Sequence, residues 1–230
     1  RDSMGEDMEN NYYTSKKAEL LADFDGFKPI IKELITDRYN EDMAITVIEE
    51  VRDKYEKLID EIPYIGGDQN PLTFNLIDST QNLAIYKVLK NHGLPLNDIG
   101  ELIYDSSVEF YKNYSDSIPP ITSPKYISYM KFAAINSQKR EYPEDWVYEF
   151  VESKGENYDF GLDFIECAIC KLYKKHAAEE IMPYICAMDI IISDNGHLGL
   201  HRRETLADGH KKCDFRYKTD RKTDIKSIYP

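Results

Sequence analysis

At 230 residues, 42% of them hydrophobic and 31% charged, the chain has the balance of a globular protein with room for one large domain or two small ones. Its net charge of −13 argues against a nucleic-acid binder, which needs a basic face, and against attachment to an anionic membrane. No apolar run approaches a membrane span and no signal peptide is visible at Arg1, where the absent start methionine suggests a trimmed or incomplete first segment.

Residues 1–13 are polar and acidic and read as a loose arm. Ser15 suits the cap of a first helix that Gly26 ends, with Pro29 in the first turn of a second helix reaching Tyr39. Asn40 caps a long helix whose apolar positions Ala44, Val47, Ile48, Val51, Tyr55, Leu58 and Ile59 follow helical spacing. Another helix spans about 71–91, with Phe74 and Ile77 on its apolar side, and Pro95 opens the next. Residues 14–116 thus read as a helical subdomain without visible chemistry. Three prolines in residues 117–124 make a linker, and a further helix covers about 125–138.

Beyond Tyr142 the pattern changes. Residues 145–152 alternate as a strand should, Gly155 to Asn157 turn, and Tyr158 to Ile165 return as its partner. Helices are expected over 165–176 and 178–192. A strand follows over 198–206, then a turn at Gly209, a hairpin partner over 212–217 and a loose basic tail over 219–230. The whole is an α+β chain: an N-terminal helical subdomain, then a small antiparallel sheet packed on a helix pair within residues 125–218.

The chemistry is concentrated at the end of the chain. Cys186 and Asp189 lie three apart on one helix and share a face. Arg203-Glu-Thr205-Leu-Ala-Asp-Gly209 and Cys213-Asp214-Phe215-Arg216 follow. Alternation puts Cys213, Phe215 and Tyr217 on one face of the last strand and Asp214 and Arg216 on the other. By the same rule His201, Arg203 and Thr205 share a face. Cys186 reads either as a nucleophile or as a small core residue. Asp214 and Arg216 read either as site groups or as sheet ion pairs. Cys167 and Cys170 have metal-knuckle spacing, but they fall where an amphipathic helix is expected and no second Cys-x-x-Cys accompanies them. No metal or cofactor is therefore expected. Phosphate loops, the Gly-x-Ser-x-Gly elbow and His-Glu-x-x-His are all absent from the sequence.

Cys-x-x-Asp on a helix, Arg-x-Thr-Leu-Ala-x-Gly and Cys-Asp-Phe-Arg together resemble the L-2-amino-thiazoline-4-carboxylic acid hydrolase family, tightly over 186–217 and more loosely from Trp146. The resemblance implies a cytoplasmic hydrolase that opens a cyclic amidine or thioimidate at a carbon–sulfur or carbon–nitrogen bond. Its partner is a small carboxylate-bearing substrate, and a homo-oligomer is left open. Side-chain chemistry then makes Cys213 or Cys186 the nucleophile and Asp189 or Asp214 the group that activates water or steadies a protonated ring nitrogen. Arg203 or Arg216 is the carboxylate clamp, with Thr205 and His201 in support. A biosynthetic tailoring enzyme working through a cysteine on another cyclic or peptide-derived substrate, or a small-molecule-binding domain without turnover, would share these features.

Overall fold

In a computed structural model, residues 12–114 and 123–229 are described. They divide into two compact units. One is the chain up to Phe110 together with Leu172–Ile181, and the other is Tyr111–Lys171 together with Met182 onward. The loose-arm expectation and most of the proline linker fall on residues outside the described ones.

The first unit is built on α1 (Lys17–Arg38), α2 (Glu41–Ile59), α3 (Thr73–Asn91) and most of α4 (Leu96–Tyr114). Asn40 caps α2 as expected, its side chain accepting a bond from the Met43 N–H. The break expected at Gly26 does not occur. α1 runs through both Gly26 and Pro29. Proline removes only one backbone bond there, and burial of Phe24 before it and Ile31 and Ile35 after it holds the helix across the gap. Phe74, expected inside, is exposed on the first turn of α3. Among the described residues no strand precedes Val147.

The second unit carries α5 (Pro124–Ser137), β1 (Val147–Glu152), β2 (Phe160–Glu166), the start of α6 (Ala168–Lys175), α7 (Met182–Asn195), β3 (His201–Arg202), β4 (Cys213–Tyr217) and β5 (Asp224–Ile225). The sheet order is β1-β2-β4-β3-β5. All its pairings are antiparallel except that of β3 with β5. That last strand lies where a loose tail is expected. It is held by Asp224 N–H to Leu200 O (2.8 Å) and Lys226 N–H to Arg202 O (2.9 Å). β3 is shorter than expected because the chain turns at Thr205, whose carbonyl accepts from the N–H groups of Asp208 and His210.

Register sorts the side chains. Phe164 lies opposite Cys213, Leu162 opposite Phe215 and Phe160 opposite Tyr217. These residues, with Tyr148 and Phe150 of β1, form one continuous aromatic face. α5 is tied to the sheet's edge by Gln138, which donates to Tyr148 O at 2.8 Å. α7 is tied by Ser193, whose Oγ accepts from Leu200 N–H at 3.0 Å. The opposite face carries Gly161, Asp163, Asp214 and Arg216. An added Cβ at Gly161 would lie 2.7 Å from Phe215 O and 2.8 Å from the Arg216 guanidinium, so glycine is what lets that arginine cross the strand. Arg216 reaches Asp163 at 2.8 Å, and Lys212 reaches the same carboxylate at 2.6 Å.

Candidate functional site

The site is assembled where the aromatic face of β4 meets α7. Cys186, Asp189 and Ser193 recur at helical spacing on α7 and turn toward the sheet. The alternation Leu198, Leu200, Arg202 carries an arginine onto the same apolar side. Arg202 is only 2% exposed and is among the largest fully buried side chains. Its Nη1 donates to Asp189 and its Nη2 donates to Cys186 O at 3.1 Å, while the guanidinium lies over the Phe215 ring at 5.2 Å. Its Nε–H is buried with no hydrogen-bond partner among the described residues. An orphaned donor on a buried cation is costly unless something arrives to accept it.

Burial raises the Asp189 carboxyl above the ordinary aspartate range in spite of Arg202 beside it. Yet 31% of its side-chain surface remains reachable by solvent. The same combination holds for Cys186 and Cys213. Both keep some accessible surface, and burial nonetheless pushes Cys213 up to about 12 and Cys186 well above the normal thiol. These groups are deeply surrounded yet still touched by solvent, and their cluster beside α7 is called the recess below. Tyr217 shares it. Burial holds its phenol protonated, and it lies within electrostatic range of Asp189 and Arg202. Cys213 Sγ accepts from the Leu206 N–H at 3.2 Å, which fixes it at the mouth of the β3–β4 turn.

Cys167 and Cys170 reach the same place by a different route. Cys167 does not lie inside a helix. β2 ends at Glu166 and α6 begins at Ala168, so Cys167 is the capping residue between them, its carbonyl accepting from Lys171 N–H at 3.1 Å. Its interaction with the Cys170 thiol, three residues on, is the chief cause of a Cys167 pKa below the ordinary thiol. Burial opposes the shift, while the N–H groups of Cys170 and Ile169 and the Trp146 indole reinforce it. The same interaction, and burial, raise Cys170. All four cysteines are free and lie within electrostatic range of one another. Among the described residues no group of three or more His, Cys, Asp or Glu is arranged to hold a metal ion, and no helix is long and apolar enough to cross a membrane.

The other expected site residues stand elsewhere. Arg203 is on the outer face, half exposed, paired with Asp224 and donating from Nε to His201 Nε2 at 3.1 Å. His201, opposite Arg216, shares that outer face. Asp214 accepts from the N–H groups of Arg203 (2.9 Å) and Glu204 (2.7 Å), which shapes the chain as it leaves β3. Arg216 is committed to Asp163. Thr205 is buried, and its Oγ accepts from Asp208 N–H at 3.1 Å to close the turn. The recess therefore gathers Cys213, Cys186 and Asp189 and leaves out Asp214, Arg203, Arg216, His201 and Thr205. Arg202 and Tyr217 are its unforeseen members. The period-two run Leu198, Leu200, Arg202 is the signal that marks the arginine.

Two comparisons bear on this geometry. No curated protein matches the chain. The family model described as L-2-amino-thiazoline-4-carboxylic acid hydrolase matches residues 81–217, a span containing every group that lines the recess.

Proposed function

Because the chain belongs to the L-2-amino-thiazoline-4-carboxylic acid hydrolase family, we propose that it hydrolyses a small cyclic amidine or thioimidate that carries a carboxylate, breaking a carbon–sulfur or carbon–nitrogen bond. The observation that carries this reading is the orphaned Nε–H of buried Arg202 beside Asp189 and two protonated thiols.

The residues divide the work by their ionisation. Arg202 stays charged: burial opposes its charge, and the Asp189 carboxylate beside it favours it. Its free Nε–H suits a substrate carboxylate, a charge-assisted bond that orients the ring. Asp189 holds a proton more tightly than an ordinary aspartate, so it can accept a hydrogen bond from a protonated ring nitrogen or take a proton from water at a useful pH. Cys213, Cys186 and Tyr217 are protonated near neutrality and can supply a proton to departing sulfur. Water then completes the opening to an N-carbamoyl cysteine when the ring is an aminothiazoline carboxylate. A reducing cytoplasm would keep the four thiols free.

Incubation of the protein with 2-aminothiazoline-4-carboxylate, with released thiol titrated against time, tests this. One new thiol per substrate consumed is expected. Binding without thiol release would leave a non-catalytic module, and release of ammonia in place of thiol would move the cleavage to the carbon–nitrogen bond.

A further inference from the structure

We propose that the aromatic face beside Arg202 is the wall on which the substrate is recognised, so that the substrate joins its carboxylate to a flat aromatic group, with Phe164 and Phe215 as the residues that select it. The inference rests on the proposed hydrolytic reading for the reaction but not for its binding test.

Register and burial mark out the wall. On β2 the face is sealed at Phe160 and Leu162, which are 1% and 5% exposed, and opens at Phe164, which is only half-buried. On β4 all three residues of that face, Cys213, Phe215 and Tyr217, are half-buried. Phe164 lies opposite Cys213 in the ladder, so the opening runs from one strand to the next. Phe164 meets Phe215 edge-on with ring centres 5.2 Å apart, and Phe215 is tilted against Tyr217 at 6.1 Å. Edge-on and tilted pairs do not close two rings face to face, so a further ring can lie against them.

The same wall carries the anchor. The Arg202 guanidinium is held by Asp189, by Cys186 O at 3.1 Å and by the Phe215 ring at 5.2 Å, and its Nε–H is buried with no hydrogen-bond partner among the described residues. A carboxylate taken by that Nε–H arrives next to Phe215, and whatever is joined to the carboxylate meets the aromatic side chains. A buried polar donor set beside half-open aromatic rings suits a ligand with an anionic head and a flat apolar body. An aminothiazoline acid would satisfy the donor and leave the rings to water. An aryl group on the ring carbon between sulfur and nitrogen would cover them.

For such a cyclic thioimidate the step balances with water alone. The water oxygen adds to the carbon between sulfur and nitrogen. The carbon–sulfur bond breaks with its electron pair on sulfur. One water proton ends on sulfur and the other on nitrogen, and the product is an N-aroyl cysteine.

2-Phenylthiazole-4-carboxylate and 2-aminothiazole-4-carboxylate are fully aromatic rings that water does not open. Calorimetric titration of each into the intact protein therefore tests recognition without turnover. The phenyl compound should bind at least about tenfold more tightly than the amino compound. Phe164→Leu and Phe215→Leu, which keep the face apolar, should each cut that preference by at least about threefold. Equal affinities, no binding of the phenyl compound, or a preference that survives both substitutions overturns the proposal. In a second arm, thiol release from 2-phenylthiazoline-4-carboxylate should exceed release from 2-aminothiazoline-4-carboxylate by at least about tenfold in kcat/KM. Release from the amino compound alone overturns the aromatic preference and sustains the hydrolytic reading. Preferred binding of the phenyl compound with no release from either thiazoline sustains the aromatic wall and rejects the hydrolytic reading.

Discussion

Arg202 shows how a single position in the alternation of a strand decides what a side chain can do. The motif draws the eye to Arg203, but a strand turns each successive side chain to the opposite face. Arg203 and its partner Asp224 lie outside, while Arg202 enters the recess. A buried ion pair is a weak source of net stability, but removing one partner leaves the other charge uncompensated. Arg202→Ala should therefore destabilise by about 2–4 kcal/mol, the lower part of the usual range because Asp189 keeps some contact with solvent. Asp189→Asn in the same background should recover part of that loss. Urea unfolding midpoints of the two variants check it, and independent, additive losses would mean the pair is not coupled. A second residue, Asp78 in α3, tests electrostatics in the helical unit. Burial raises its pKa from 3.8 to about 6. The fold prefers the protonated form, so its contribution is full below about pH 4 and is lost as pH rises through 6. The loss should be about 1–3 kcal/mol, discounted because part of the side chain still meets water. Asp78→Asn should flatten stability between pH 4 and 7, and an unchanged pH profile in that variant would contradict the assignment.

Elements were legible in the sequence to the degree that one local signal governed them. Asn40 with the apolar spacing behind it marks α2 without tertiary help. Gly26 and Pro29 carry an equally clear local signal, but packing overrides it and α1 continues. β3 is short and β5 is absent from any periodic reading, because each is held by a few long-range backbone bonds and not by its own pattern. The α6 boundary differs from the expected one by three residues: the helix begins at Ala168 and not at 165, which moves Cys167 from a helix interior to a helix cap. Gly161 is the element-scale test on the other face of the sheet. Gly161→Ala puts a methyl group 2.7 Å from Phe215 O and 2.8 Å from Arg216. It should cost about 1–3 kcal/mol by overpacking and free Arg216 from Asp163. Burial alone would raise Asp163, and Arg216 and Lys212 outweigh it to hold the carboxyl low. The Asp163 pKa, followed by carboxyl NMR, should therefore rise in Gly161→Ala, and a wild-type value would show that the arginine tolerates the methyl group.

At the scale of the whole molecule, the α+β organisation with helices first and a mostly antiparallel sheet after was readable from the switch between helical and strand periodicity near Tyr142. The family was readable from residues 186–217, and its match extends back to Gln81. The recess was only half readable. Cys186, Cys213 and Asp189 were named by motif, while Arg202 and Tyr217 stand at alternation positions that only strand register and burial single out as part of the site. The carboxylate clamp is where the two readings of the site differ most sharply, so it gives the most direct test. KM and kcat for thiol release from 2-aminothiazoline-4-carboxylate should be measured for Arg202→Lys and Arg203→Lys in parallel. Lysine keeps the charge but loses the Nε–H, a loss of about 1.5–3 kcal/mol if that bond holds the carboxylate in both ground and transition states. Arg202→Lys is expected to raise KM by roughly 10- to 150-fold with kcat little changed, while Arg203→Lys stays within about twofold of wild type. A large KM effect confined to Arg203→Lys, with Arg202→Lys unaffected, would contradict the recess as the site of the reaction.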